Sequence, residues 1–576
     1  MSTKKTRFVQ ISWIIVAFTL CSGVLPSGVA FPASDSANSG LVPILRYIAS
    51  DWDVLTRSMT RCDSIVDPKL PEGAILYLPY DFAEPDSVKK LDKVCKVHVE
   101  HLPMMIRLPG QMDMAAIKQH GLLYLPNDYV VPGGRFNEMY GWDSYFIILG
   151  LVRDGRIDLA RGMVENFFFE IERYGTVLNA NRTYYLTRSQ PPFLTSMISS
   201  VYEAEKAAGQ EDKAWLGRAY ELAARDYENW IHEPHLAGST GLSRYFDYGN
   251  GPAPESVQDE TGVYRGVAGY FVVHPEFSGT YLVGKQGSQT QKAAGSAFGI
   301  EVCDATGNTA GAPCDSVGTV NLSADYYKGD RSMRESGFDI SFRFGPYGAA
   351  THHFAPVCLN SLLYKTEKDL EEISKQLGKT DDARKWRTRA EQRKRLINQY
   401  FWDQERGLFF DYNFETGTRS TYEYAAAYYP LWAGLATPKQ AEDTARNLKI
   451  FERPGGMAMS PYETGGQWDY PYGWAPLQLI TVEGLRRYGF NANADRVSYE
   501  FLSTVTANFK REGTIREKYN VVTRSSEAHV TAGYQVNVVG FGWTNGVYLQ
   551  LLHELPKQVQ ERLAGEQGAV ADMTKP

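Results

Sequence analysis

The chain has 576 residues, a formal net charge of −7, 43% hydrophobic and 22% charged residues, the balance of an ordinary soluble globular protein much larger than one typical domain. A net negative chain is a poor partner for a nucleic-acid backbone and leaves a neutral small molecule or a cation as the candidates. The 36 Tyr, 27 Phe and 11 Trp bring the aromatic share to 13%, which serves stacking surfaces and large helical cores equally well.

At the N-terminus, Lys4, Lys5 and Arg7 form a basic stretch, Ile11 to Leu25 an apolar run, and Gly28-Val29-Ala30 a small-residue site. This is the layout of a secretory signal, and it predicts export with cleavage near Ala30 to the periplasm, or alternatively to the outside medium. The apolar run is shorter than the roughly 20 residues of a membrane span, so no membrane association is expected after cleavage. Loss of the three basic residues makes the remainder more acidic still. Residues 31 to about 40 are small and polar, and 31–45 reads as a flexible segment. Residues 46–130 read as an N-terminal extension of short helices and Pro-rich connections such as Leu76-Tyr77-Leu78-Pro79-Tyr80.

From about residue 131 onward, apolar residues recur at three- and four-residue spacing, as in Leu359, Leu362, Leu363 and Leu370. This predicts helices near 156–173, 193–208, 212–231, 354–377, 380–401, 422–434, 438–448, 475–488, 491–509 and 543–554. Thr380 and Thr437 read as N-caps. A Gly-, Ser- and Thr-rich stretch at 249–334 reads as an irregular insertion or lid, and 561–576 as a flexible tail. Strand-like alternation is sparse and no fixed repeat is visible, so the fold class is all-α, many antiparallel helix pairs around one site with the chemistry on connecting loops. That is the layout of an α/α toroid.

Of the cysteines, Cys303 and Cys314 bracket a small-residue loop and could pair, Cys62 with Cys95 is a weaker pairing, and Cys358 reads as a buried free thiol in an apolar helix. No CxxC or HExxH spacing occurs. His352-His353 reads as structural, because adjacent helical residues do not face each other. No metal and no cofactor are expected.

Two segments more than three hundred residues apart carry the strongest chemical signal. They are Pro132-Gly133-Gly134-Arg135-Phe136-Asn137-Glu138-Met139-Tyr140-Gly141-Trp142-Asp143 and Gln467-Trp468-Asp469-Tyr470-Pro471-Tyr472-Gly473-Trp474-Ala475-Pro476. Indoles cover the apolar faces of a sugar ring, carboxylates, amides and guanidinium take its hydroxyls, and Gly and Pro hold such groups on stiff loops. Together they point to a carbohydrate site.

With these segments the chain resembles the trehalases, inverting glycoside hydrolases that split α,α-trehalose, a small disaccharide. Further matches occur in the family's order over about 120–550: Asn179 to Tyr185 running into Arg188-Ser189-Gln190-Pro191-Pro192, Glu335-Ser336-Gly337-Phe338-Asp339, Glu517-Lys518-Tyr519-Asn520, and Gly540 to Gly546. The resemblance implies an (α/α)6 barrel over 46–560 with the active site in loops at one end. It also implies Asp339 as general acid and Glu517 as general base, roughly 6.5–9.5 Å apart to admit a water. The acid needs a raised pKa, which Phe338 and the signature tryptophans could supply by desolvation. Arg135, Trp142, Asp143, Asn179, Arg188, Ser189, Gln190, Glu255, Gly337, Trp468 and Trp543 are implied as substrate-binding residues, with Trp474 a further wall of the pocket. The bland readings are a helix cap for Asp339, a surface ion pair with Lys518 for Glu517, and core anchors for the rest.

Three departures from the family pattern stand out. Ala253-Pro254-Glu255 replaces the usual Arg-Pro-Glu, Gly533-Tyr534 stands where a carboxylate is usual, and Phe338 where Trp is common. Arg265, Lys285 or Lys292 could supply the missing cation from the 249–334 segment. The departures leave two alternatives open: hydrolysis of a related α-glucoside, or a non-catalytic sugar-binding protein on the same scaffold. Oligomeric state is not legible.

Overall fold

Ten consecutive residues, Gly542 to Leu551, are buried in the helix Gly542–Glu554, which therefore has no solvent face and must be enclosed by other elements on every side. A computed structural model, which describes residues 40–66, 73–255, 263–283, 300–303, 317–533 and 536–565, shows what encloses it. In chain order the helices that matter are α1 (Val42–Leu55), α2 (Asp143–Arg153), α3 (Ile157–Tyr174), α4 (Leu194–Ala207), α5 (Lys213–Trp230), α6 (Ala324–Glu335) and α7 (Val357–Gln376). They continue with α8 (Thr380–Tyr400), α9 (Tyr429–Trp432), α10 (Pro438–Arg446), α11 (Ala475–Arg487), α12 (Asn491–Glu512) and α13 (Gly542–Glu554).

Packing runs α2 to α4, α4 to α7, α7 to α9, α9 to α11, α11 to α13, and α13 back to α2. Six inner helices thus close a ring. The connections place α3, α5, α8 and α12 outside it, each packed on an inner helix, while α1 packs against the outside of α13. This is the (α/α)6 barrel. Ring closure depends on small residues: a Cβ on Gly546 would lie 2.0 Å from the Phe146 carbonyl oxygen, and one on Gly150 2.5 Å from the Gly546 Cα. The α2 and α13 backbones meet with nothing between them.

The periodic segments fold within a few residues of their expected bounds, except that 422–434 is a 3-10 turn, Ala425–Tyr428, followed by the single turn of α9. Thr437 caps α10 in a full capping box with Gln440. Thr380 instead lies inside the first turn of α8, behind Lys379. Helices begin earlier and end later than expected: α1 takes in 42–45, and Lys557–Gly565 enters the tail.

The extension is not only helices. Ala74–Leu78, with all five residues buried, pairs in parallel with Val97–His101 and Leu122–Leu123. A continuous apolar run of five residues has neither a helix nor an alternating-strand period, which is why it escapes a periodicity search. Cys62 and Cys95 form a disulfide beside this sheet, and Cys358 is a buried free thiol. The Cys303–Cys314 pairing, Ala30 and the expected signal lie outside the described residues.

The 249–334 segment is ordered where described. Helices Val263–Val273 and Pro275–Tyr281 pack on α6 through a small core of Tyr264, Phe271, Tyr281, Tyr326 and Tyr327, and short strands at 282–283 and 300–303 pair with Val317–Leu322.

Candidate active site

The loops entering α2, α11 and α13 deliver the aromatic wall of one cavity at the N-terminal ends of these inner helices. Trp142 precedes α2, Trp474 precedes α11, and Trp543 is the second residue of α13. Trp468 and Trp474 stack with centroids 4.0 Å apart and planes 6° from parallel. Trp142 lies 5.7 Å from both Trp468 and Trp543, and Phe338 5.2 Å from Trp468. Gly337 is required here: its φ is +75°, and a Cβ would sit 2.8 Å from the Trp142 ring.

Short backbone pairings stitch the distant motifs together. Ala180 bridges Tyr140, joining the first signature to the 179–190 run. Tyr472–Trp474 pairs antiparallel with Lys518–Asn520, setting Trp474 opposite Lys518 and so beside Glu517. The Trp468 amide donates to the Ile340 carbonyl at 3.2 Å, and the Gln467 side-chain amide donates to the carbonyl of Asp339.

The cavity, about 600 Å³ counting its open mouth, is lined by Trp142, Asp143, Asn179, Arg188, Gln190, Glu255, Gly337, Asp339, Trp468, Trp474, Glu517 and Trp543, among others. Eleven of the thirteen expected site residues are therefore brought together. The other two are not lining residues. Ser189 turns to the scaffold, its hydroxyl donating to the Val177 carbonyl at 2.6 Å and its amide to Glu335 at 3.2 Å. Arg135 is exposed, with its guanidinium 4.5 Å above the ring of Phe136, itself a lining residue.

The polar side of the cavity is a charge network. Arg188 is paired with Glu255 through Nη2 and lies 3.6 Å from Asp247 through Nη1. Burial pushes the Glu255 carboxyl up, but Arg188 and Arg334 together outweigh it and hold the group below the usual carboxylate range. Asp143, 5% exposed, goes the other way: burial raises it well above that range, and Glu517 and Asp339 add to the rise. Glu517 does pair with Lys518, at 2.9 Å, but inside the wall rather than at the surface, since the Lys518 side chain is 0% exposed and its ammonium lies 4.9 Å from the Trp474 ring.

Arg334 is the residue that the sequence reading missed. It lines the cavity, with Nη1 3.9 Å from Asp339 Oδ2 and 4.0 Å from Glu255 Oε1. Its Nε donates to Asp330 at 3.2 Å; Asp330 accepts from Tyr264 Oη at 2.8 Å, and that oxygen accepts from the amide of Ala253 at 2.8 Å. The absence of an arginine at position 253 is thus answered by a guanidinium from α6. Arg265, proposed for that part, is exposed and outside the lining set, while Lys285, Lys292 and Tyr534 lie outside the described residues. A usable signal was present: Arg334 directly precedes the Glu335–Asp339 motif. Pro132, Tyr140, Tyr185, Gln467 and Phe541 complete the lining.

A family model described as Trehalase matches residues 79–268 and 319–556. The chain belongs to the trehalase family. It is 36% identical over 560 residues to a probable trehalase of Eremothecium gossypii, covering 86% of this chain and 70% of that one. It is 34% identical to the cytosolic neutral trehalase of Saccharomyces cerevisiae, covering 86% and 69%. The chain spans about two thirds of the length of these curated relatives. In structure it is similar to the neutral trehalase Nth1 from Saccharomyces cerevisiae, with a TM-score of 0.72 and 31% identity over 91% of this chain and 96% of that one.

These relatives correct the expectation of export to the periplasm or medium. Several matched trehalases, from Saccharomyces, Kluyveromyces and Emericella, are named cytosolic neutral trehalases, at 34–37% identity over 84–88% of this chain. A periplasmic trehalase of Xanthomonas axonopodis also matches, at 35% identity over a smaller 82% of the chain. A basic, apolar, small-residue order over thirty residues is loosely specified by its physics, and it carries less weight than similarity over the whole barrel.

Proposed function

We propose that this chain hydrolyses α,α-trehalose to two glucose molecules with inversion, with Asp339 as general acid and Glu517 as general base. The observation that carries this reading is that both carboxyl groups line one tryptophan-walled cavity, reached from opposite parts of the chain. Asp339 protonates the bridging oxygen. Glu517 takes a proton from the water that attacks the anomeric carbon from the other face. Asp143, held toward its protonated form by burial and by its two carboxylate neighbours, donates a hydrogen bond to a sugar hydroxyl. Arg188, Arg334, Asn179 and Gln190 take the remaining hydroxyls, and the indoles cover the ring faces. Arg135 and Ser189 support the site without lining it.

Attack with inversion at one anomeric carbon releases one β-glucose, while the departing sugar keeps its α configuration. Proton NMR of the first products therefore tests the reaction course directly. One α and one β anomer at early times is the expected result; two α anomers would overturn inversion, and no glucose from folded protein would overturn the substrate. The reading in which a related α-glucoside is the substrate is motivated by Ala253 and by Gly533-Tyr534; Arg334 sets a cation beside Glu255, which answers the first departure only, while Tyr534 lies outside the described residues.

A further inference from the structure

Among the described residues, one group of three His, Cys, Asp or Glu side chains brings a possible metal-ligand atom from each to a common point. Asp325 stands in the first turn of α6, just after its Ser323 N-cap, and the 3-10 turn Thr351–His353 packs on that helix. His352 Nε2 lies 3.0 Å from Asp325 Oδ1, and His353 Nε2 lies 3.5 Å from the same oxygen. One ligand atom from each of the three side chains falls within 4.8 Å of the other two.

Adjacent residues of an α-helix diverge, and the sequence reading accordingly treats His352-His353 as structural. Here the backbone leaves the 3-10 turn directly into an extended residue, Phe354, with φ −111° and ψ 143°. The two rings end side by side, with centroids 3.9 Å apart. A carboxylate oxygen needs one imidazole to satisfy it, and two imidazolium rings at this distance would repel.

We propose that Asp325, His352 and His353 bind a divalent transition-metal ion of the zinc type, with water in the fourth position. Ligand atoms at roughly 2.0–2.1 Å from a tetrahedral ion stand about 3.3–3.4 Å apart. The observed 3.0 and 3.5 Å bracket that spacing for the two Asp325–imidazole pairs, and all three ligand atoms lie within 4.8 Å of one another, so a metal would be held once the two imidazoles turn toward it. A two-nitrogen, one-carboxylate set suits zinc rather than calcium or magnesium, which take oxygen ligands. Access is open on one side: the side chains of Asp325 and His353 are 37% and 28% exposed, while that of His352 is 7% exposed and fixes the inner edge.

Two features limit the affinity. The His352 Nδ1 is buried without a hydrogen-bond partner, where strong sites place an acceptor. Arg244, which donates to the His352 carbonyl at 3.0 Å, adds positive charge nearby. The site is therefore weaker than one whose imidazoles are all backed by acceptors. The bound ion would tie the start of α6 to the 351–353 turn, and α6 carries Arg334 near its other end.

The test uses untagged full-length protein, stripped with chelator and titrated with zinc chloride by calorimetry, with cobalt(II) as a spectroscopic stand-in. One zinc per chain is expected, with the visible absorption of tetrahedral cobalt. Asp325→Asn and His353→Ala, both at part-exposed positions, should each weaken zinc binding at least tenfold, while His232→Ala at an exposed site elsewhere should not. Absence of zinc binding by folded wild type, or binding unchanged in both variants, overturns the proposal. Because the readout is metal stoichiometry, this outcome is separate from whether the chain turns over trehalose.

Discussion

The Arg334 guanidinium stands between Asp339 and Glu255, 3.9 Å from one carboxylate and 4.0 Å from the other. A cation so placed can grip a sugar hydroxyl beside the acid while neutralising a buried carboxylate. Arg334→Ala removes charged hydrogen bonds worth about 1.5–3 kcal/mol, so kcat/KM for trehalose should fall roughly 10- to 150-fold. Arg334→Lys should recover little, because a point charge does not replace the planar fork. Steady-state kinetics check both, with melting curves confirming that the variants remain folded.

Asp339→Asn and Glu517→Gln keep the shape of the cavity and remove one proton-transfer group each. General acid or base catalysis contributes typically about 10²–10⁴-fold, and kcat should fall by that order in each variant while substrate-induced quenching of tryptophan fluorescence persists. Quenching lost together with activity would mean that these carboxylates bind rather than catalyse.

Asp143 is a third carboxyl lining the cavity with Asp339 and Glu517, and each of them pushes its pKa upward. Such coupling is mutual. Asp143→Asn keeps a neutral hydrogen-bonding group where Asp143 is protonated and removes the like charge that Asp143 acquires only as it ionises, so the alkaline limb of the pH–activity profile should move toward lower pH. An unshifted profile with reduced kcat/KM would leave Asp143 a hydrogen-bonding group only.

Away from the site, burial and the neighbouring Glu554 push the Glu483 carboxyl from 4.5 up to about 7. A carboxyl raised in the folded state favours folding fully below its unfolded value, and that contribution is lost as pH rises through about 7. Glu483→Gln can still accept the hydrogen bond that Trp432 Nε1 donates to Glu483 at 2.8 Å. Its Tm should therefore exceed that of wild type at pH 8 and approach it near pH 5. Parallel melting curves at the two pH values decide this.

Ring closure offers a test of packing alone. Gly546→Ala places a methyl group 2.0 Å from the Phe146 carbonyl oxygen, where only backbone can yield. Overpacking of this kind costs typically about 1–3 kcal/mol, and the variant should melt lower by differential scanning calorimetry.

Most of the barrel was legible because its helices are long and amphipathic; α7, with Leu359, Leu362, Leu363 and Leu370 all buried, shows a one-sided pattern that periodicity detects. One ring helix was harder: most of α2 is buried, so its residues show no polar face to set a period, and it was visible only as the end of a motif. That Asp339 and Glu517 share one cavity was legible through short motifs. Arg334 was not, because its place depends on the direction in which α6 aims it. The convergence of His352 and His353 was not legible for a related reason, since a 3-10 turn leading into an extended residue sets side by side two rings that an α-helix would part.

The closed ring has a consequence for biosynthesis. Trp142 and Asp143 emerge from the ribosome early, Trp543 some four hundred residues later, and α13 must seat against α2 before the aromatic wall exists. A nascent chain, or one clipped ahead of residue 542, holds both carboxylates yet lacks the tryptophan that closes the wall around them. Activity should appear only on completion of synthesis, and loss of the last inner helix by proteolysis should silence the protein in a single cut.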